Sequence, residues 1–187
     1  MIKEQLRKIE TGIVIKQDIL EKQVKIVYLA VGSNLGNRIN YINNAKIKLE
    51  NQNIKIVQCS SFYESLSWPN IKSPKFINIV VKIKTVLSPE DLLKKCKQIE
   101  NQLGRIRVYK NQPRTCDIDI IDYDSMILKS VKTNHLNLPH PEVSNRNFVL
   151  LPLYEISKTW RHPKTKIKIS KLINLLKVED LMTIKQV

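Results

Sequence analysis

Two aspartates separated by one residue, Asp117 and Asp119, lie in an apolar run that follows Pro113 and Arg114. Residues two apart in a β-strand project from the same face, so the run predicts a strand that carries two carboxylates side by side. Two like charges held this close oppose each other's ionisation unless a cation lies between them. Mg²⁺, which takes one or two carboxylates together with phosphate oxygens, suits such a pair. The alternative explanation is an ordinary strand with polar residues on its solvent-exposed face.

A basic loop comes directly before the aspartates. Arg105, Arg107, Lys110 and Arg114 all occur within it. Arginine forks onto phosphate oxygens with two hydrogen bonds, and lysine cannot replace it there. Cations beside a metal-binding carboxylate pair are what the transfer of a phosphoryl-type group requires. The basic loop and the aspartate pair together therefore indicate a nucleotide site, whereas the basic loop alone could be an ordinary solvent-exposed segment.

The composition fits a globular protein with one substantial core. The chain has 187 residues, of which 42% are hydrophobic, and this length suits a single domain. The formal net charge is +15, with 32 basic and 17 acidic residues. Because the lysines are scattered along the chain, a general compositional bias explains this charge better than nucleic-acid binding does. We expect residues 1–23 to be an extension and residues 24–187 to be the domain.

The cysteine and histidine patterns exclude several classes of protein. Cys59, Cys96 and Cys116 show no CxxC spacing, which predicts buried reduced thiols and a reducing, cytoplasmic compartment. The three histidines lack zinc-ligand spacing. No apolar run of 18 residues and no secretion signal is present, so neither a membrane span nor export is expected.

The order of predicted elements indicates an α+β fold. Strands are predicted at 24–31, 54–63, 76–85, 116–123 and 126–129. Helices are predicted up to about residue 51, at 88–103, at 147–156 and near 170–176, with a basic strand pair before the last. The second helix is the best specified, since Ser88 can cap it and Gly104 suits its end. This order matches the ferredoxin-like βαββαβ core, with a mostly antiparallel sheet, both helices on one face, and C-terminal helix and strand additions.

Several further residues have the chemistry of a binding site. Asn78 stands in an apolar strand, and its amide must find partners there. A flat heterocycle with a donor–acceptor edge would satisfy it, and the rings of Phe76 and Phe148 could sandwich that heterocycle. His140, between two prolines, could be a structural histidine or a phosphate contact, and Arg146 is a similar case. GSNLG at 32–36 lacks the ending of a P-loop and predicts a tight strand-to-helix turn.

Six stretches in combination resemble a known family. They are VYLAVGSNLGNR, SSFYES, FINIVV, GRIR, PRTCDIDIIDY and LPHPEVSNRNFVLLPLYEI, in this order over roughly residues 24–160. Together they are similar to 6-hydroxymethyl-7,8-dihydropterin pyrophosphokinase, a family of folate biosynthesis. The resemblance implies a ferredoxin-like fold and an ATP-dependent diphosphotransferase that moves pyrophosphate from ATP to the pterin hydroxymethyl group, leaving AMP.

The resemblance also implies a role for individual residues. Asp117 and Asp119 would hold two Mg²⁺ ions, and Arg105, Arg114 and Arg107 would act on the phosphates. The residues implied on the ATP side are Glu100, Ile120, His140 and Arg146. Those implied on the pterin side are Ser65, Trp68, Phe76, Asn78 and Phe148. ATP and the pterin are the expected small-molecule partners of a monomer that binds neither nucleic acid nor membrane.

The chain departs from the family pattern in two places. Asn111 and Gln112 stand where the family commonly has a tryptophan, in a loop one residue shorter, which predicts altered loop closure and rate. Ser65 and Leu66 replace a common Thr-Pro, which predicts a looser wall of the pterin pocket. Two alternatives stay open from the sequence. One is an RNA-binding module of the same element order, although FINIVVKI does not match its aromatic pattern. The other is a catalytically weak family member.

Overall fold

The computed structural model of the protein describes residues 23–50, 53–67, 70–106, 108–109, 111–129 and 136–187. Trp68, Arg107, Lys110 and residues 1–22 of the expected extension therefore lie outside the described residues. None of the described helices is long and apolar enough to cross a membrane.

The described strands form one antiparallel sheet. They are β1 (Lys25–Ser33), β2 (Ile54–Cys59), β3 (Tyr63–Ser65), β4 (Phe76–Thr85), β5 (Asp117–Tyr123) and β6 (Ile184–Gln186). The order across the sheet is β5-β1-β4-β3-β6, and β2 also pairs with β4. One edge of β4 therefore contacts β1, while its other edge is shared by β3 at its start and β2 at its end. The predicted antiparallel sheet is confirmed.

The helices begin and end largely where the sequence predicts. They are α1 (Arg38–Leu49), α2 (Pro89–Gln102), α3 (Asn147–Ile156), α4 (Ile169–Asn174) and α5 (Val178–Met182), with one 3₁₀ turn at Val143–Asn145. Ser88 caps α2, because its side chain accepts from the backbone N–H of Asp91 at 3.1 Å. Gly104 follows the last turn of α2 with φ of +80°, a conformation that glycine adopts without strain.

Two apolar cores lie on opposite faces of the sheet. Val27, Leu29 and Val31 of β1 enter the first core, beneath α1 and α2. Tyr28 enters the second core with residues of α3 and α4 and with Trp160. This alternation follows the two-residue period of a strand. The C-terminal elements thus cover only part of the second face, and the uncovered part holds the candidate site.

The predicted strand at 54–63 is divided in two by Ser60. The backbone N–H of Ser60 donates to the carbonyl of Val80 at 2.9 Å. Its hydroxyl oxygen accepts from the N–H of Val80 at 3.0 Å. Because the side chain takes the place of the backbone acceptor, the regular ladder stops and β3 begins three residues later.

Three other local predictions were wrong. Residues 126–129 form only an isolated bridge between Leu128 and Leu138, and the basic strand pair reduces to a bridge between Arg161 and Lys168. The expected turn at GSNLG starts two residues late, since β1 continues through Ser33. Met126 and Ile127 are exposed, so residues 126–129 lack the continuous buried apolar face that would hold a longer ladder against the core.

Candidate active site

The second face of the sheet carries a row of site residues across three strands. Asp117 and Asp119 on β5 lie opposite Gly32 and Ala30 of β1. On its other side Gly32 lies opposite Asn78 of β4. The two small residues of β1 leave a trough between the carboxylates and the amide. The strand spacing thus places both carboxylates on one face, as the sequence predicts.

Asp117 is balanced by two guanidinium groups. Nη1 of Arg105 donates to its Oδ1. Nε of Arg114 donates to Oδ2 at 2.8 Å, and Nη2 of Arg114 lies 2.6 Å from the same oxygen. Burial opposes ionisation of this carboxyl, but the charges of Arg114 and Arg105 outweigh burial and hold the pKa of Asp117 below its ordinary value.

Asp119 has weaker partners and a different electrostatic state. Nη1 of Arg146 donates to its Oδ2 at 3.0 Å, and Nε2 of His140 lies 3.7 Å from that oxygen. Burial and then the negative charge of Asp117 raise the pKa of Asp119. Burial lowers the pKa of His140 despite the nearby Asp119. Arg146 is thus the guanidinium partner of Asp119, whereas Arg105 and Arg114 both bind Asp117.

The carboxylate pair fits a hard divalent cation. Its oxygens are the donor type that Mg²⁺ prefers, and a cation between the two side chains would relieve the repulsion by Asp117 that, after burial, raises the pKa of Asp119. Within the described part of the chain, no group of three or more His, Cys, Asp or Glu side chains could hold a metal ion. A metal held by this pair would take its remaining ligands from water and a bound phosphate.

An aromatic cleft opens on one side of the aspartates, with roughly 580 Å³ of space that includes its open mouth. Its lining residues are Ala30, Gly32, Ser65, Leu66, Phe76, Asn78, Asn111, Arg114, Asp117, Asp119, Arg146 and Phe148. Asn78 is 6% exposed, and its Nδ2 donates to Oγ of Ser65 at 3.0 Å. The structure thus places the expected pterin-side residues together, apart from Trp68, which lies outside the described residues.

An arginine lies over each aromatic ring of this cleft. Cζ of Arg114 is 5.0 Å from the ring centroid of Phe76, and Cζ of Arg146 is 5.7 Å from that of Phe148. Both distances lie within the range of cation–π contacts. Each arginine therefore contacts one ring and one aspartate. The same two guanidinium groups thus interact with both the aromatic and the acidic parts of the site.

Two polar clefts open on the other side of the aspartates. The basic cleft is lined by Arg105, Ile106, Val108, Tyr109, Asn111, Gln112, Arg114, Asp117, Asp119, His140 and Arg146. The edge cleft, along the outer side of β5, is lined by Leu93, Lys97, Glu100, Arg105, Asp117, Ile118, Asp119, Ile120, Leu136, Asn137, His140, Pro141 and Glu142. All three clefts meet at Asp117 and Asp119. The geometry thus provides a site for a flat ring and a site for phosphates, with carboxylates between them.

Glu100 is a buried support for this arrangement. It is 2% exposed, and its Oε1 accepts from the backbone N–H of Ile118 at 2.8 Å and from Nη1 of Arg105. It therefore ties α2 to β5 and holds Arg105 above Asp117. Ile120 lies on the opposite face of β5 from the aspartates and lines the edge cleft.

Gly32 in β1 and Asn34 just after it support the site, and both were missed by the sequence reasoning. Oδ1 of Asn34 accepts from the backbone N–H of Arg114 at 2.7 Å, and its Nδ2 donates to the carbonyl of Pro74 at 3.1 Å. A Cβ at Gly32 would lie 2.7 Å from Oδ1 of Asn78, closer than packed atoms allow. Only the strand register reveals these contacts. The signal available in the sequence was a buried-strand motif that ended in Gly-Ser-Asn.

The loop without the expected tryptophan is organised by Gln112. Its Oε1 accepts from the backbone N–H groups of Val108 and Tyr109, both at 3.2 Å, and its Nε2 donates to the carbonyl of Ile106. Asn111 has φ of +61°, which asparagine tolerates better than most residues. The described part of the loop therefore folds around a polar side chain where the family pattern has an aromatic one.

Comparison with known proteins identifies the family. Residues 28–158 match the family of 7,8-dihydro-6-hydroxymethylpterin-pyrophosphokinase (HPPK). The chain belongs to the HPPK family. It is 42% identical over 137 residues to the 2-amino-4-hydroxy-6-hydroxymethyldihydropteridine pyrophosphokinase of Aquifex aeolicus, which covers 73% of this chain and 83% of that protein. The resemblance drawn from the sequence motifs is confirmed.

Other HPPK relatives are much longer than this chain. It is 44% identical over 148 residues to the folic acid synthesis protein FOL1 of Dictyostelium discoideum, across 79% of this chain and 22% of that protein. The match to the folic acid synthesis protein of Pneumocystis carinii spans 20% of the latter. The chain thus spans about a fifth of the length of these two relatives.

A solved structure shares the fold. The Plasmodium falciparum HPPK-DHPS A437G with pteroate superposes with a TM-score of 0.69 at 16% sequence identity, over 89% of this chain and 47% of that one. At this identity the match concerns the fold alone. The predicted α+β architecture is confirmed.

Proposed function

We propose that this chain transfers the pyrophosphate group of ATP to 6-hydroxymethyl-7,8-dihydropterin, giving the pterin diphosphate and AMP. One observation carries the proposal: the aromatic cleft and the basic cleft meet at Asp117 and Asp119. An acceptor stacked on the rings and a nucleotide held by the arginines would meet at these carboxylates. Membership of the HPPK family supports the same chemistry.

The acceptor is proposed to lie between Phe76 and Phe148. Both rings line the aromatic cleft, where Asn78 and Ser65 lie beside them. A pterin has two flat faces for stacking and a polar edge that an amide and a hydroxyl can read. Asn78 is 6% exposed. A ring that left its buried amide without a hydrogen-bond partner would therefore bind more weakly, and this makes the site selective.

The donor phosphates are proposed to lie along Arg105, Arg114, Arg146 and His140. The three guanidinium groups balance the aspartates in the structure, and each side chain is long enough to turn to phosphate oxygens when a nucleotide enters. Arginine is well suited to this exchange because its planar fork binds carboxylate and phosphate in the same way. We propose Glu100 and Ile120 as nucleotide-side residues, with Glu100 acting through Arg105.

Asp117 and Asp119 are proposed to hold two Mg²⁺ ions together with the nucleotide. When bound, Mg²⁺ would neutralise phosphate charge and orient the triphosphate and the acceptor hydroxyl. Burial and the negative charge of Asp117 both raise the pKa of Asp119, and a bound cation would oppose this shift, which supports the assignment. The carboxylates themselves supply hard oxygen ligands on a rigid strand, which limits how far the bound groups can move.

The transfer is proposed to be direct. The pterin hydroxyl oxygen forms a bond to the β-phosphorus while the bond from that phosphorus to the oxygen bridging the α-phosphate breaks. AMP leaves, and the hydroxyl proton is lost to solvent. Cys116 is no candidate nucleophile, because it is buried in the first core and burial raises its pKa to about 12. Catalysis then rests on positioning and on the charge supplied by the arginines.

We further propose that residues 24–187 form the catalytic domain, with 1–23 as an extension, and that the chain acts as a monomer in a reducing cytoplasm without binding nucleic acid. The three free cysteines support the reducing compartment. The strand FINIVVKI supports the last point, since it lacks the aromatic pattern of an RNA-binding sheet.

The proposed function is tested by product analysis. The purified chain is incubated with ATP, Mg²⁺ and 6-hydroxymethyl-7,8-dihydropterin, and the nucleotides are separated by chromatography. The proposal predicts AMP and pterin diphosphate in equal amounts, and no AMP when the pterin or Mg²⁺ is omitted. ADP as the product, or AMP that forms without the pterin, would contradict it.

A further inference from the structure

The helix that carries Phe148 is anchored at its first residue to the C-terminal segment. Asn147, which is 7% exposed, donates from Nδ2 to the carbonyl of Asp180 and to Oγ1 of Thr183 at 3.1 Å. The hydroxyl of Thr183 in turn donates to the carbonyl of Asp180 at 2.7 Å. Because Asn147 directly precedes Phe148, these bonds fix the point from which the aromatic ring projects.

The strand that carries Ser65 is paired with the same segment. In β6, Ile184 lies opposite Ser65, Lys185 opposite Glu64 and Gln186 opposite Tyr63. Beyond the strand, the N–H of Val187 donates to the carbonyl of Phe62 at 2.9 Å. Without β6, β3 would be a three-residue strand held from one side only, and so short a strand is weakly held at a sheet edge.

A third tie joins α3 to the loop before β3. Glu155 accepts from the hydroxyl of Ser61 at 2.9 Å and from the hydroxyl of Tyr63 at 2.9 Å. Nε2 of Gln186 donates to the same Ser61 hydroxyl at 2.9 Å. Burial, followed by the contact with Glu155, raises the pKa of Tyr63 to about 12, so this phenol stays a donor at neutral pH.

We propose that residues 178–187 form a strap that sets the width of the aromatic cleft, with Thr183 and Asn147 as positioning residues for the pterin. One wall of the cleft is Phe148 on α3, and the other includes Ser65 on β3. The strap is bonded to both walls. It contributes no lining residue to any of the three clefts, so it acts on the ligand only through these walls.

The strap lies outside the part of the chain that the HPPK family model matches, which ends at residue 158. Of the phosphate-side residues, Arg105, Arg114 and His140 make none of the contacts just described, and Arg146 is next to Asn147 in the chain. The strap should therefore affect the acceptor more than the nucleotide. Binding of a stacked ligand depends on the width of the aromatic cleft, because even a small gap between the ligand and an aromatic ring removes much of their dispersion energy. This inference rests on the proposed function.

The test uses the full chain and three substitutions. Thr183→Val removes one of the two acceptors of the Asn147 amide while keeping the side-chain volume, and Thr183→Ser restores the hydroxyl. Met182→Ser is the matched control, because Met182 is 82% exposed in the same segment. The KM values for pterin and for ATP are measured for each variant. Pterin dissociation constants are measured by equilibrium binding in the presence of a non-hydrolysable ATP analogue, and the thermal midpoint of each variant is recorded.

The strap predicts that Thr183→Val raises the pterin KM and dissociation constant about tenfold, the loss expected for one hydrogen bond. The ATP KM should change much less than the pterin KM, and Thr183→Ser and Met182→Ser should behave as wild type. Hydrogen exchange should quicken at residues 62–65 and 147–150 in Thr183→Val alone. A Thr183→Val chain with unchanged pterin affinity, or with pterin and ATP constants altered alike, would overturn the strap.

The two proposals fail in different ways. A wild-type chain that forms no AMP contradicts the proposed function, whereas the strap is then judged from the pterin dissociation constants and hydrogen exchange. A wild-type chain that forms AMP, with a Thr183→Val variant that binds pterin as tightly, contradicts the strap and leaves the proposed function standing.

Discussion

Gly32 and Asn78 lie opposite each other on adjacent strands, and the amide of Asn78 lies across the space that a side chain at position 32 would fill. A Cβ placed on Gly32 would be 2.7 Å from Oδ1 of Asn78 and 3.4 Å from Cδ1 of Phe76. Glycine is needed here for clearance and not for backbone freedom, since the residue lies within a regular strand. The hydrogen bond from Asn78 to Ser65 depends on that clearance.

Gly32→Ala should therefore impair acceptor binding. The amide must move away, at a cost of about 1–3 kcal/mol in the free energy of unfolding, and the pterin dissociation constant should rise at least about tenfold. Gly36→Ala is the control, because Gly36 has φ of +64° and its replacement costs about 1–2 kcal/mol of backbone strain away from Asn78. Equal pterin affinities in the two variants would show that the clearance does not matter.

Replacing Arg114 with alanine should lower turnover without weakening pterin binding. Its guanidinium lies over the ring of Phe76, so Arg114→Ala uncovers a stacking face. In the absence of nucleotide, pterin should bind this variant at least as tightly as wild type, as measured by fluorescence titration. Turnover should fall by about a thousandfold, the usual scale for loss of an arginine that neutralises transferred phosphate.

The control for Arg114 is Arg161→Ala. Arg161 lies away from the clefts and donates to the carbonyl of Lys166 at 3.2 Å, so its loss removes the same charge from the surface. Turnover of this control should match wild type. A marked loss of pterin affinity in Arg114→Ala would mean that Arg114 belongs to the acceptor side.

The elements best predicted from the sequence are those with local signals. β4 (Phe76–Thr85) and α3 (Asn147–Ile156) occupy the predicted residues, and α2 is bounded by Ser88 and Gly104 as expected. A cap, an apolar stripe and a glycine stop all act within a few residues of one another, and so they can be read along the chain. The placement of Asp117 and Asp119 on one face likewise follows from residues close together in the sequence.

The elements that were missed depend on distant partners. The division at Ser60 arises from its two bonds to Val80, and β6 exists because β3 offers it an edge. The role of Gly32 likewise depends on the register of β1 against β4. The role of Asn34 depends on its hydrogen bond with the backbone of Arg114. Sequence periodicity has no access to such contacts, because it shows which face a residue occupies and not what lies opposite.

His162 should make stability depend on pH. Its Nδ1 accepts from the backbone N–H groups of Lys164 at 3.2 Å and Thr165 at 3.1 Å. Burial, and then the charge of Lys164, lower the pKa of His162. The folded state thus binds fewer protons than the unfolded state, so the free energy of unfolding should decrease as the pH falls below about 6.5.

Urea unfolding at about pH 7.5 and pH 5.5 measures this contribution. His162→Asn keeps an acceptor oxygen but cannot be protonated, so the difference in stability between the two pH values should be smaller in this variant than in wild type. The same pH dependence in both chains would exclude His162 as its source.

The two aspartates should contribute differently to the stability of the metal-free chain. Asp117 is held ionised by two arginines, whereas the pKa of Asp119 is raised by burial and by Asp117. A carboxyl whose pKa is raised on folding opposes the folded state once it ionises. Asp119→Asn should therefore not destabilise the metal-free chain at neutral pH, while Asp117→Asn should, because it leaves Arg114 without its carboxylate partner and Arg105 with Glu100 alone.

Metal binding at Asp117 and Asp119 is tested most directly with Mn²⁺ as a paramagnetic substitute for Mg²⁺. Mn²⁺ bound together with α,β-methylene-ATP is titrated by electron paramagnetic resonance in wild type, Asp117→Asn and Asp119→Asn, with circular dichroism to confirm folding. The account predicts tight binding by wild type and affinities at least about a hundredfold weaker in both folded variants, since each loses a charged ligand. Folded variants that bind Mn²⁺ as wild type does would contradict it.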